Sequence, residues 1–94
     1  MIMELEEIRR KIKEKYYEID RKSGELFLLA VLFEEVGELA EAVRKRETES
    51  IEEELADVLF MVLSLANYFD VDLERVLIEK YIKGDPSKGW DLPP

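Results

Sequence analysis

The chain contains no cysteine and no histidine. Without thiols, disulfide staples, thiolate nucleophiles and zinc–thiolate centres are excluded. Without imidazole, Ser-His-Asp and Cys-His relays, imidazole metal ligands and the usual near-neutral general base are excluded as well. Catalysis is left to carboxylates, lysine, arginine, tyrosine and hydroxyls. Helix breakers are equally scarce: the prolines all stand at or after Pro86, and the glycines are Gly24, Gly37, Gly84 and Gly89. Residues 1–83 are therefore free to be helical, with breaks set by caps rather than by proline. Long apolar runs are missing too. The longest, Leu26 to Phe33, has eight residues, against about 20 needed to span a bilayer, so no membrane partner is expected. The segment Met1 to Glu7 carries acids where a signal peptide would carry bases, which predicts a soluble, cytoplasmic protein. Basic residues are outnumbered, 14 against 23 acidic, for a formal net charge of −9. That field opposes direct binding to a phosphate backbone, so no nucleic-acid partner is expected, whereas divalent cations are attracted.

What is present is a chain of 94 residues, 47% apolar, with the apolar positions periodic rather than scattered. The length is that of one domain, spanning residues 1–94. A domain this small buries only about 60% of its extended surface and often needs a partner chain. Ile2, Leu5, Ile8, Ile12, Tyr16 and Ile19 fall three and four apart and predict a first helix. Ser23 is an expected N-cap for a second, running to about Arg46. Ser50 with Glu53 reads as a capping box opening a third, to about Phe69. Asp72 caps a fourth through Val76, Leu77 and Tyr81, ending at Gly84, and residues 84–94 read as a loop-like tail. No strand alternation or hairpin signal occurs. The predicted fold is all-α, a four-helix bundle completed by oligomerisation, because the third helix is apolar nearly all round from Leu55 to Leu65.

The two long helices each carry an acidic pair. Glu35 and Glu38 lie about 60° apart on one helix face, and Glu54 and Asp57 repeat that spacing on the next helix. A short connection, Lys45 to Glu49, predicts antiparallel packing that brings the pairs to similar height. Glutamates three apart usually mark no more than a solvated face. Here the face of Glu35 and Glu38 continues through Val31 and Phe27, beside an expected core stripe of Leu29, Leu32, Phe33, Val36, Ala40 and Val43. Glu54 and Asp57 share theirs with Met61, Leu65 and Tyr68. Carboxylates that continue an apolar stripe are poorly explained as solvent decoration, and clustered like charges repel unless a cation or protons compensate them. Four converging carboxylates predict a site for a hard divalent cation, Mg²⁺ with Mn²⁺ as the alternative. Phe27, Tyr68 and Trp90 read as core or subunit-interface aromatics rather than base-stacking groups. Arg21, Lys22 and Lys88 read as solvated charges, and Glu53 as a capping residue.

The stretch Glu34-Glu35-Val36-Gly37-Glu38-Leu39-Ala40-Glu41-Ala42, with Glu53-Glu54-Leu55-Ala56-Asp57-Val58-Leu59 downstream, resembles the MazG nucleotide pyrophosphohydrolases, whose signature is E-E-x-x-E, a spacer, then E-x-x-D. The resemblance runs from about Ser23 to Tyr81. It implies an all-α fold that assembles at least as a dimer, where the apolar third helix itself predicts a homodimer or dimer of dimers, and Mg²⁺-dependent cleavage of a nucleoside triphosphate to the monophosphate and pyrophosphate. Carried over, it implies Glu35, Glu38, Glu54 and Asp57 as metal ligands, Glu34 in a supporting or catalytic-base role, and Lys80 near the substrate phosphates. Many members carry asparagine two residues before that lysine, where this chain has Ile78. The related phosphoribosyl-ATP pyrophosphatases of histidine biosynthesis are the alternative enzyme, and a helical oligomerisation adaptor is the non-enzymatic one.

Overall fold

The computed structural model describes residues 3–91; Ile2 and residues 92–94 of the expected helix and tail lie outside them. Among the described residues there are no strands. Helices α1 (Leu5–Ser23), α2 (Glu25–Lys45) and α3 (Thr48–Tyr68) are followed by a short α4 (Leu73–Leu77), which runs on as a π-helical segment, Ile78–Lys83. A single 3₁₀ turn, Pro86–Gly89, then interrupts the tail expected to be loop. The fold is all-α, as the periodicity predicts. No helix of the described residues is long and apolar enough to cross a membrane.

The breaks come from local chemistry. One residue, Gly24, separates α1 from α2, with φ at +89°, in the region that disfavours any side chain; its N–H donates to the Asp20 carbonyl at 3.0 Å. Ser23 is not the N-cap expected of it: its hydroxyl donates back to the Ile19 carbonyl at 2.9 Å, ending α1. Between α2 and α3 the chain reverses at Arg46, which adopts the left-handed conformation. Arg46 N–H bonds to the Val43 carbonyl at 3.1 Å and Glu47 N–H to the Ala42 carbonyl at 3.2 Å, the paired bonds of a Schellman cap. The same device ends α3. Asp70 is left-handed, its N–H reaches the Asn67 carbonyl at 3.3 Å, and Val71 N–H reaches that of Ala66 at 2.9 Å. The expected Ser50–Glu53 capping box does not form. α3 starts earlier, at Thr48, and Ser50 donates instead to the Glu47 carboxylate at 3.2 Å. Asp72 does cap α4, accepting from Arg75 N–H at 3.2 Å. At the far end Gly84 N–H donates to the Glu79 carbonyl at 3.1 Å, five residues back, and a Cβ on Gly84 would sit 3.1 Å from the Lys80 carbonyl oxygen.

α2 and α3 form an antiparallel hairpin and the largest interface; α1 packs on α3, and α4 touches α1. The core lies along these seams, with Leu28, Ala42, Met61, Leu63 and Ala66 buried. Tyr16 of α1 meets Phe60 of α3 edge-to-face, with ring centroids 5.1 Å apart. The stripe of α2 that faces inward is not the one expected. Leu28, Val31, Leu32, Glu35, Leu39 and Ala42 are buried or half-buried, whereas Leu29, Phe33, Val36, Ala40 and Val43 are exposed, Phe33 at 65%. α2 is apolar on two sides, and the hairpin with α3 covers the side that carries Glu35. The other side, with Leu55 and Leu59 of α3, is left as an open apolar face.

Candidate metal centre

The inward stripe of α2 puts a carboxylate into the hairpin seam. Glu35 is half-buried there, as is Glu54 across the seam on α3, while Glu38 stands one turn on toward solvent. These three each offer a carboxylate oxygen, all within 4.8 Å of one another. One oxygen of Glu35 and one of Glu54, the Oε2 atoms, are shielded from solvent and have no hydrogen-bond partner. Among the described residues no ion pair engages Glu35, Glu38, Glu54 or Asp57.

The electrostatics follow from that placement. The Glu35 carboxyl is pushed up to about 7, first by burial and then by the charges of Glu38, Glu54 and Asp57. Glu54 is raised as well, again mainly by burial, with the charges of Glu38 and Asp57 adding to it. Two shielded, unpartnered oxygens among like charges are costly unless a proton or cation compensates them. A donor set made only of carboxylate oxygens suits a hard divalent cation, so the residues present fit one.

Of the sequence-predicted site residues, Glu35, Glu38 and Glu54 come together. Asp57 stays at the edge: it is exposed and brings no oxygen within 4.8 Å of all three, although its charge reaches Glu35 and Glu54. Glu34 is exposed and outside the cluster, about 100° round the helix from Glu35. Lys80 lies on the π-helical segment, which makes no extensive contact with α2 or α3; its Nζ rests 5.3 Å from the Tyr81 ring centroid. Glu41 belongs to a different surface, paired with Lys45 at 3.1 Å and Arg44 at 3.5 Å.

Arg21 is exposed, as its reading as a solvated charge has it, and it also lies over the Tyr68 ring, 4.3 Å from the centroid, and donates to the Tyr68 carbonyl at 3.4 Å. Tyr68 also meets Phe69 edge-to-face at 5.1 Å. No spacing signal marks such a pair, because it joins the ends of α1 and α3, remote in sequence.

The sequence model of the MazG nucleotide pyrophosphohydrolase domain matches residues 23–88. The chain is also similar to "Uncharacterized protein YpjD" of Bacillus subtilis (strain 168), 37% identical across a region covering 68% of this chain and 74% of that protein. The matched residues take in both acidic helices, the turn between them and the C-terminal segment, and the chain belongs to the MazG nucleotide pyrophosphohydrolase domain family.

Proposed function

We propose that the protein is a Mg²⁺-dependent nucleoside triphosphate pyrophosphohydrolase, converting a triphosphate and water to the monophosphate and pyrophosphate. The observation that carries this reading is the cluster of Glu35, Glu38 and Glu54, with two shielded oxygens that no protein donor satisfies. Glu35 and Glu54 would hold the cation from the hairpin seam. Glu38 and Asp57, on the solvent side, would complete its protein ligands and face the arriving phosphates. A divalent cation there supplies countercharge to the phosphoryl oxygens and acidifies water.

The chain's own groups do the rest. Glu34, exposed beside Glu35 and outside the cluster, would take the proton of the attacking water while the phosphoanhydride bond breaks and pyrophosphate leaves. With no histidine in the chain, a carboxylate is the natural acceptor. Lys80 would pair with phosphate oxygens as a mobile point charge. Ile78 offers no hydrogen bond, so polar contacts in that part of the site fall to Lys80. The exposed apolar face of α2 and α3 supports a homo-oligomer as the working form, with the chain acting as a single domain.

Pyrophosphate release from a panel of canonical and modified triphosphates and from phosphoribosyl-ATP, with Mg²⁺ or with chelator, tests the reading. Release from at least one triphosphate only with the metal is the expected result. Release from phosphoribosyl-ATP alone moves the substrate to histidine biosynthesis. No release from any compound removes the enzymatic reading.

A further inference from the structure

Phe27 is an aromatic side chain that the fold leaves outside. It is 58% exposed, so it is not the core residue its spacing allowed, and it stands about 120° round α2 from Phe33, off the open apolar face. Its own face is the one that carries acids. At about 100° per residue, Phe27 comes within about 20° of both Glu34 and Glu38, and the half-buried Val31 lies between Phe27 and Glu34. On α3 the same spacing sets Asp57 and Tyr68 on one face, where the intervening Met61 and Ser64 are buried. The hairpin is antiparallel, so Glu38 and Asp57 share its turn end, while Phe27 and Tyr68 share its open end. The charges of Glu38 and Asp57 both reach Glu35, which puts the two faces on one side of the seam.

The order of residues along that face of α2 is the order of groups in a triphosphate. Glu35, Glu38 and Glu54 would face the leaving pyrophosphate through the cation. Water adds to the α-phosphorus, the phosphate next to the nucleoside, while the bond to the β-phosphate oxygen breaks and Glu34 takes the proton. Glu34 stands about 6 Å of helix from Glu38, and Phe27 about 10 Å further in the same direction. A sugar and a base extend from the α-phosphorus over that second interval. Val31 offers the sugar no hydrogen bond, and Phe27 offers the base none, so what this end of the face can give is a ring to stack on. Arg21 adds a flat cation at the same end, 4.3 Å from the centroid of the Tyr68 ring and 5.9 Å from that of Tyr17.

We infer that the nucleobase of the triphosphate stacks on Phe27, at the open end of the α2 face whose turn end carries Glu34 and Glu38. This inference rests on the pyrophosphohydrolase reading above and adds the place where the nucleoside is held.

Kinetics on the intact protein tests it. Monophosphate formation with Mg²⁺ is followed for the parent, Phe27→Ala and Phe27→Tyr over a panel of triphosphates, and tripolyphosphate, which has no base, is titrated as a competing inhibitor. Phe27→Ala is expected to raise KM about tenfold or more for each triphosphate that the parent cleaves, and to leave inhibition by tripolyphosphate unchanged. Phe27→Tyr keeps the ring and should keep the parental KM. An unchanged KM in Phe27→Ala, a loss confined to one base, or an equal loss in tripolyphosphate affinity overturns the inference. A parent that cleaves nothing removes the hydrolase reading and the inference with it, whereas an active parent matched by Phe27→Ala removes the inference alone.

A second measurement needs no turnover. Calorimetric titration with Mg²⁺ and an α,β-methylene triphosphate analogue should show weaker binding to Phe27→Ala than to the parent, with tripolyphosphate binding both alike. Light scattering of Phe27→Ala should return the parental mass. A fall to a single chain would make Phe27 a subunit contact and overturn the inference.

Discussion

Arg9 of α1 and Asn67 of α3 exchange hydrogen bonds in both directions: the guanidinium donates to the Asn67 side-chain oxygen, and the Asn67 amide donates to the Arg9 main-chain carbonyl at 3.1 Å. Asn67 is 2% exposed, and Glu6 holds the other edge of the guanidinium. α1 has no fully buried residue, so this polar clasp and the Tyr16–Phe60 contact fix its register on α3. Asn67→Ala removes both bonds and leaves the Arg9 groups short of partners at a covered site. We expect a loss of about 2 kcal/mol of stability, read from urea denaturation. Glu6→Gln should shift the midpoint less, because Arg9 keeps its bonds to Asn67.

Helix existence was legible in the sequence, and so was the pairing of acids. Spacings of three and four fixed α1, Asp72 announced α4, and the Glu35–Glu38 and Glu54–Asp57 spacings placed each pair on one face whatever the tertiary structure. Two kinds of information were not legible. The ends of α2 and α3 turn on Arg46 and Asp70 in left-handed conformations, where glycine is the usual signal, so the turns carry no compositional mark. The choice of inward stripe on α2 was equally hidden, because Leu28 and Leu29 are the same residue type to any periodicity argument, and only the crossing with α3 decides between them. The same crossing admits Glu54 to the cluster and leaves Asp57 at its edge.

The metal-free protein should lose stability as pH rises. Glu35 in the folded chain titrates at about 7, above its ordinary 4.5. Glu54 is raised in the same direction, and so is Asp20, by burial. Between the ordinary carboxylate range and pH 7 the folded state keeps a proton that the unfolded state has released. The resulting stabilisation is present at acid pH and lost as pH climbs through 7. Thermal melts in chelator should therefore give a higher Tm near pH 5 than near pH 8. Glu35→Gln should flatten that difference. Mg²⁺ at pH 8 should raise the Tm of the parent by binding the folded state alone. Equal melting at both pH values in chelator would mean that the seam carboxylates are compensated by something other than protons.

The open apolar face makes a claim about assembly. Phe33 is 65% exposed on α2, and Leu26 and Val36 of the same helix and Leu55 and Leu59 of α3 are exposed with it, more large apolar side chains than a free monomer of this size ordinarily leaves to water. The parent is expected to scatter light as a dimer or larger species at micromolar concentration. Phe33→Asp places a charge in the middle of that face and should give a single-chain mass with the helical circular dichroism retained. A variant that stays associated would locate the interface elsewhere.

The ligand assignment separates by substitution into silent and lethal positions. Glu35→Gln and Glu54→Gln keep the side-chain volume and remove a charge from the seam. Pyrophosphate release should fall by at least about a hundredfold, close to 3 kcal/mol in the barrier. The metal-free folds should be no less stable than the parent, since each change removes repulsion among the clustered acids. Asp57→Asn tests the edge of the site. If its carboxylate completes the ligand set only when cation and substrate are bound, turnover should fall as steeply as for Glu54→Gln, with a smaller loss in the Tm increment that Mg²⁺ gives. Glu41→Gln is the internal control, because Glu41 pairs with Arg44 and Lys45 outside the cluster. Its activity should stay near the parent's, since an exposed ion pair contributes little. Equal losses at Glu41 and Glu54 would mean that the assay is reading overall negative charge rather than a site; parental rates in both Glu35→Gln and Glu54→Gln would remove the metal centre from the hairpin seam.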